Sequence, residues 1–247
     1  EFYVMDRAEG PLIHTNIPKE WEWGPAKTAK LCENFFQKLV ELHQVDFKAN
    51  GLGDFGKPEG YVDRQIGGWN RRYEKAWTDN VDKFDDVRGW LEANKPAVEL
   101  GHSVVHGDFR IDNCILKSDD PTQINAILDW EISALGDPLM DLGNTLAYWI
   151  EKEDPPAMHM MIRQPSAAKG MMNRREVVDF YAAKTGADVS NIQFYYVYGI
   201  FRLAVIIQQI YYRFHHWQTD NARFKDYYQM TNALGILARH KIQTGQL

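Results

Sequence analysis

The sequence predicts an α+β domain that is mostly helical, with a small β insert near its middle. Apolar residues recur at helical spacing before about residue 95 and again after residue 137. Short runs of β-branched residues are instead concentrated between residues 103 and 128. The chain has 247 residues, 45% of them hydrophobic and 25% charged, which is enough for a substantial core and argues against disorder.

Each element has its own signal. "EFYVM" at residues 1–5 is a β-type run that needs partner strands from elsewhere. "EGPLIHTNIP" reads as a loop. Leu31, Phe35, Leu39 and Leu42 mark one face of a helix over residues 25–43. "ANGLGDFGKPEG" is too rich in glycine to be regular. A helix over residues 58–77 carries Arg64, Arg71 and Arg72 among Tyr61, Trp69, Tyr73 and Trp77, and another spans 81–94, stopped by Pro96. Strands are expected at 103–105, 114–117 and 124–128, the last two joined by "SDDPTQ".

Asp137-Pro138 starts a helix that runs to about residue 150, because Asp caps free amides and Pro loses no hydrogen bond in a first turn. "EKEDPPAM" is a loop. Asn173 and Glu176 have capping-box spacing, and Gly186 stops that helix. Helices over 190–214 and 221–243 complete the chain, with no internal repeat.

Several classes are excluded. A net charge of -6 argues against a nucleic-acid binder. Cys32 and Cys114 lack disulfide or zinc spacing and suggest a cytoplasmic or other reducing intracellular compartment. The N-terminus has no signal-peptide pattern. Residues 194–214 are apolar but carry Arg202, Gln208, Gln209 and Arg213, which favours a core helix over a membrane span. Within that helix Phe194, Tyr198 and Phe201 read as core, whereas a buried Arg202 needs either an internal carboxylate or an acidic substrate.

The chemistry concentrates in "VVHGDFRIDN", residues 104–113. If the following hairpin turns at Asp120-Pro121, partner positions sum to 241, and Asn113 falls opposite about residue 128. The Asn113 amide and the Asp129 carboxylate then share one end of the hairpin, a partial oxygen shell suited to Mg²⁺. Asp108, on the entering loop, can accept a proton from a substrate hydroxyl. His106-x-Asp108, four residues, Asn113, then an apolar strand ending in Asp129 is the order of a kinase catalytic loop and its metal-binding Asp.

"VVHGDFRIDNCIL" followed by "AILDWEISALGDPLMDLG" resembles the aminoglycoside phosphotransferase and choline kinase-like superfamily. With "GLGDFGKPEGYVDRQIGGW", the chain resembles more closely the phosphotransferase-like domain found fused to acyl-CoA dehydrogenases. The resemblance implies the C-terminal lobe of a protein-kinase-like fold over residues 11–247, with the hairpin carrying the active site. Residues 1–10 would be the inter-lobe hinge, with Tyr3, Val4 and Met5 meeting the adenine of ATP. Asp108 would be the catalytic base, and Asn113 and Asp129 would hold Mg²⁺. His106 would support the loop, and Asp137 and Asp141 would be structural.

Around these, Arg110 faces phosphate or pairs with Asp112 or Glu131, and Glu131 is a candidate extra metal-site carboxylate. Trp69 and Arg202 are candidates for the substrate side. Two positions depart from the kinase pattern: Gly107 replaces an Arg that docks an activation-loop phosphate, and Asp129-Trp130-Glu131 replaces Asp-Phe-Gly. Control by activation-loop phosphorylation is therefore not expected, and neither is a large flip of the 129–131 segment.

No Gly-rich phosphate loop with its Lys is present, because "GLGDFG" follows a helix rather than a strand. The N-terminal lobe is expected upstream, and the isolated chain is expected to turn over poorly. The function this implies is ATP- and Mg²⁺-dependent transfer of the γ-phosphoryl group to a small-molecule hydroxyl. A hydroxy acid or hydroxyacyl compound is favoured over an aminoglycoside, and neither nucleic acid nor membrane is an expected partner. The rival readings are a non-catalytic nucleotide- or metabolite-binding pseudokinase module and a metal-dependent hydrolase, which needs more ligands than the insert offers.

Overall fold

Helix α1 (Pro25–His43) follows its hydrophobic stripe: Leu31, Cys32, Phe35, Phe36, Leu39 and Val40 are buried, and Pro25 occupies the first turn. The computed structural model describes residues 6–97, 99 and 101–247. The hinge positions Tyr3, Val4 and Met5 lie outside the described residues.

Helix α2 (Tyr61–Ala76) starts later than its pattern suggests, because Gly60 turns into the left-handed region at φ 67°. Phe84 does the same before α3 (Asp85–Ala93), at φ 55°. Strands β1 (Ser103–Val105), β2 (Cys114–Leu116) and β3 (Ile124–Ile127) stand where the sequence puts them. A fourth, β4 (Ala134–Gly136), carries no strand signal of its own and pairs antiparallel with β1.

Helix α4 (Pro138–Ala147) opens as expected, with Asp137 accepting the Leu139 amide at 2.8 Å. A short α5 (Pro156–His159) interrupts the stretch expected to be a loop. Helix α6 (Arg174–Thr185) has the full capping box at Asn173 and Glu176 and ends at Gly186. The last helix, α8 (Tyr227–Thr244), starts six residues after position 221, where Asn221 caps a separate 3-10 turn.

Helix α7 (Ile192–His215) is the axis of the lobe. It packs against α2, α3, α4 and α8, which is why it is apolar nearly all round. Its contact with α4 is a backbone-to-backbone approach. A Cβ on Gly199 would strike the Gly143 carbonyl, and one on Gly143 would strike the Tyr195 carbonyl. Phe194, Tyr198 and Phe201 are buried, so that stripe is core. Among the described residues no helix is long and apolar enough to cross a membrane.

Candidate active site

The hairpin of β2 and β3 fixes the site. Cys114 pairs with Ile127 and Ile115 with Ala126, the expected register, and a bulge between Ile115 and Leu116 then shifts the turn end by one residue. The Leu128 amide donates to the Asn113 carbonyl at 2.8 Å, so the residue before Asp129 is hydrogen-bonded directly to Asn113.

The loop before the hairpin is pinned from below. Asp141, fully buried on α4, accepts the His106 amide at 2.7 Å on one oxygen and the Gly107 amide at 2.8 Å on the other. Thr145 donates to the Phe109 carbonyl at 3.1 Å, and Gln164 accepts the Ile111 amide at 2.9 Å. Gly107 sits at φ 83°, and a Cβ there would meet Ile132 at 3.1 Å. The departure at this position thus follows from backbone geometry that favours glycine.

His106 is buried with both ring nitrogens occupied. Nδ1 accepts the Asp108 amide at 3.2 Å, so Nε2 carries the proton and donates to the Leu128 carbonyl at 2.8 Å. The ring therefore ties the loop to the hairpin.

Asp108 keeps one carboxylate oxygen free. Oδ2 accepts from Asn113 Nδ2 at 3.2 Å and lies 3.4 Å from Arg110, while Oδ1 has no partner among the described residues. The Asn113 amide nitrogen is committed to Asp108, which leaves its carbonyl oxygen available. Asp129, in the left-handed region at φ 69°, presents an exposed carboxylate with no side-chain partner among the described residues. Glu131 is exposed in the following 3-10 turn.

Arg110 pairs with Asp108 and, at 3.1 Å, with Asp112, but not with Glu131. Its guanidinium also lies 4.9 Å from the Tyr148 ring centre. Burial raises the Asp112 carboxyl; Arg110 opposes that and the Asp108 charge adds to it.

Sequence reasoning gave Asp141 its structural role under the loop but missed the residues behind it. His43, at the end of α1, lies 3.2 Å from Asp141 through Nε2 and 2.8 Å from the Tyr181 hydroxyl through Nδ1. Burial works to raise the Asp141 carboxyl, but the hydrogen bond and charge of His43 and the His106 amide hold it below the usual range. The available signal was position: His43 lies four residues after Leu39 on the buried stripe.

The other two candidates lie together on α2 and α7. Arg202 is 5% exposed, and its guanidinium lies 5.1 Å from the Trp69 ring. The expected internal carboxylate is not found: among the described residues Arg202 has no ion pair or hydrogen bond.

The model of the phosphotransferase enzyme family matches residues 1–180. The chain belongs to that family. An aminoglycoside phosphotransferase-like structure from Ralstonia eutropha covers 97% of this phosphotransferase chain at 27% identity, with a TM-score of 0.83, the match spanning 72% of that chain. Choline kinase from Cryptosporidium parvum shares the fold at 14% identity and TM-score 0.63, over 97% of this chain and 71% of its own. Among curated relatives, acyl-CoA dehydrogenase family member 11 of Rattus norvegicus is 28% identical over 98% of this chain. Family member 10 of Mus musculus is 30% identical over 96% of it. The phosphotransferase chain spans 31% and 22% of those relatives' lengths.

Proposed function

We propose that this phosphotransferase lobe transfers the γ-phosphoryl group of ATP to a hydroxyl of a small molecule, with Asp108 as catalytic base. The observation that carries the reading is the free Asp108 Oδ1, held on a loop that Asp141, Thr145 and Gln164 pin from below. An unpaired carboxylate oxygen on a fixed loop suits accepting a hydroxyl proton. His106 cannot share that task, because both of its nitrogens are used.

Asn113 Oδ1 and the Asp129 carboxylate, on segments joined by the Leu128–Asn113 hydrogen bond, are oxygen donors of the kind Mg²⁺ takes and would hold it. When bound, Mg²⁺ would neutralise phosphate charge. Glu131 is a candidate for an additional carboxylate at that site, and Arg110, paired here with Asp108 and Asp112, would face phosphate on leaving them. Residues 1–10 would be the hinge, with Tyr3, Val4 and Met5 meeting the adenine. An N-terminal lobe upstream would supply the phosphate-covering loop. Two buried free thiols, Cys32 and Cys114, fit a reducing compartment.

For the acceptor we favour a hydroxy acid or hydroxyacyl compound over an aminoglycoside. Aminoglycosides are polycations, and the candidate substrate side here is cationic, with Arg72 and Arg202 both close to Trp69. Full-length protein supplied with ATP and Mg²⁺ should phosphorylate members of the first class. Phosphorylation of aminoglycosides alone would refute the acceptor assignment. Magnesium-ATP binding with no transfer to any acceptor would favour the non-catalytic reading.

A further inference from the structure

We infer that the cavity between the segment before α1 and the segment after α5 is a second ligand site, one that binds an organic phosphate with an apolar body. The inference does not rest on the phosphotransfer reading. The cavity shares no residue with the site around Asp108, nor with Trp69 and Arg202.

Its volume is about 760 Å³, within the roughly 300–1,000 Å³ that small-molecule sites occupy. Both walls are anchored. Residues 162–169 form one of them, and the Ser166 hydroxyl ties it to the Ile150 carbonyl at 2.8 Å. The opposite wall includes the 3-10 turn Lys19–Trp21, after which Trp23 packs on the core. Beside the cavity the two segments meet as bare backbone. Gly170 is at φ 105°, and a Cβ there would lie 2.3 Å from the Pro25 carbonyl oxygen.

Gln164 lines the cavity and is fully buried. Its Oε1 accepts the Ile111 amide at 2.9 Å, and its Nε2 donates to the Tyr148 carbonyl at 3.2 Å. A ligand resting on Gln164 would be one side chain away from the loop that carries Asp108.

The lining selects the ligand. Ile17, Trp23, Ile162 and Pro165 supply apolar surface. Lys19 and Lys169 supply one cation on each wall. Neither ammonium has an ion pair or hydrogen bond among the described residues. Elsewhere Lys30, Lys38 and Lys95 each pair with a carboxylate three positions away. Lys19 and Glu22 have that spacing and do not pair, because Glu22 has left the helical turn at φ 49°. Glu22 is the one carboxylate among the described residues of the lining, and no arginine is among them. An ammonium is a point charge that suits phosphate oxygens, whereas the planar fork that matches a carboxylate belongs to arginine. Two such charges on opposite walls match a dianion, and the apolar surface between them matches its organic part.

The test is isothermal titration calorimetry on full-length protein saturated with Mg²⁺ and a non-hydrolysable ATP analogue, with hexyl phosphate, hexanoate and hexanol as probes. Hexyl phosphate should bind about 10-fold or more tighter than hexanol, and tighter than hexanoate. In the Lys19→Gln/Lys169→Gln double variant its advantage over hexanol should shrink to within about threefold. Both lysines are exposed, so the melting point and the magnesium-ATP affinity should not change. Ala168→Trp keeps both lysines but fills the cavity, and should weaken hexyl phosphate by about 10-fold or more.

An advantage over hexanol that survives in the double variant would overturn the inference. So would undiminished binding to Ala168→Trp, or no binding of hexyl phosphate at all. Hexanoate bound as tightly as hexyl phosphate would overturn the ligand class. Loss of magnesium-ATP affinity in the double variant would assign the lysines to the nucleotide and overturn a second site.

Discussion

Asp108 and His106 differ in what the fold leaves free. His106 spends Nδ1 on the Asp108 amide and Nε2 on Leu128, whereas Asp108 retains Oδ1. Two neighbouring residues set that geometry. Gly107 holds φ 83° against Ile132, so Gly107→Ala should cost roughly 1–3 kcal/mol and lower kcat, read by thermal unfolding and steady-state rates. Asp141 is a buried carboxylate whose pKa is depressed in the fold. Its stabilising contribution is therefore complete above the unfolded carboxylate value of about 3.9 and is lost as pH falls through the lower folded value. Melting points taken below about pH 4 should fall with acid, and less steeply in Asp141→Asn. That variant should also lose roughly 3–5 kcal/mol at neutral pH, because His43 and the two loop amides keep no charged partner. Equal acid sensitivity of the two proteins would remove Asp141 from this role.

Among the elements, the crossing of α4 and α7 is the least forgiving. Helix α4 carries Asp141 and α7 carries Arg202, and they meet where Gly143 faces Tyr195 and Gly199 faces Gly143. Gly199→Ala should destabilise the lobe by about 1–3 kcal/mol through overpacking, measured by denaturant midpoint; a neutral result would show that the crossing can relax. The hairpin was legible beforehand because a turn fixes a register. Asn113 and residue 128 came out opposite each other as expected, while the bulge at Ile115 and Leu116 left no mark in residue type. Strand β4 was not legible, since Ala134 and Gly136 lack strand preference and are strand residues through pairing with β1. The late starts of α2 and α3 have a similar origin, in left-handed turns at Gly60 and Phe84.

At the scale of the whole molecule, a chain of net charge -6 gathers Arg110 near Asp108, and Arg72 and Arg202 around Trp69. Overall composition thus says little about the polarity of the candidate site. The order of Asp108, Asn113 and Asp129 along the sequence was readable because one hairpin assembles it. His43, Tyr181 and Gln164 were not, because they reach the loop from α1, α6 and the segment after α5 through contacts between distant parts of the chain. Removing the proposed metal ligand should be separable from removing the proposed base. Asp129→Asn should raise the Mg²⁺ concentration needed for half-maximal rate, whereas Asp108→Asn should leave it unchanged. The most direct test is the turnover of full-length Asp108→Asn with ATP, Mg²⁺ and an accepted hydroxyl substrate. The rate should fall on the order of 10²- to 10⁴-fold, with the unfolding transition and magnesium-ATP affinity unchanged. Undiminished turnover would contradict the assignment of Asp108 as the base.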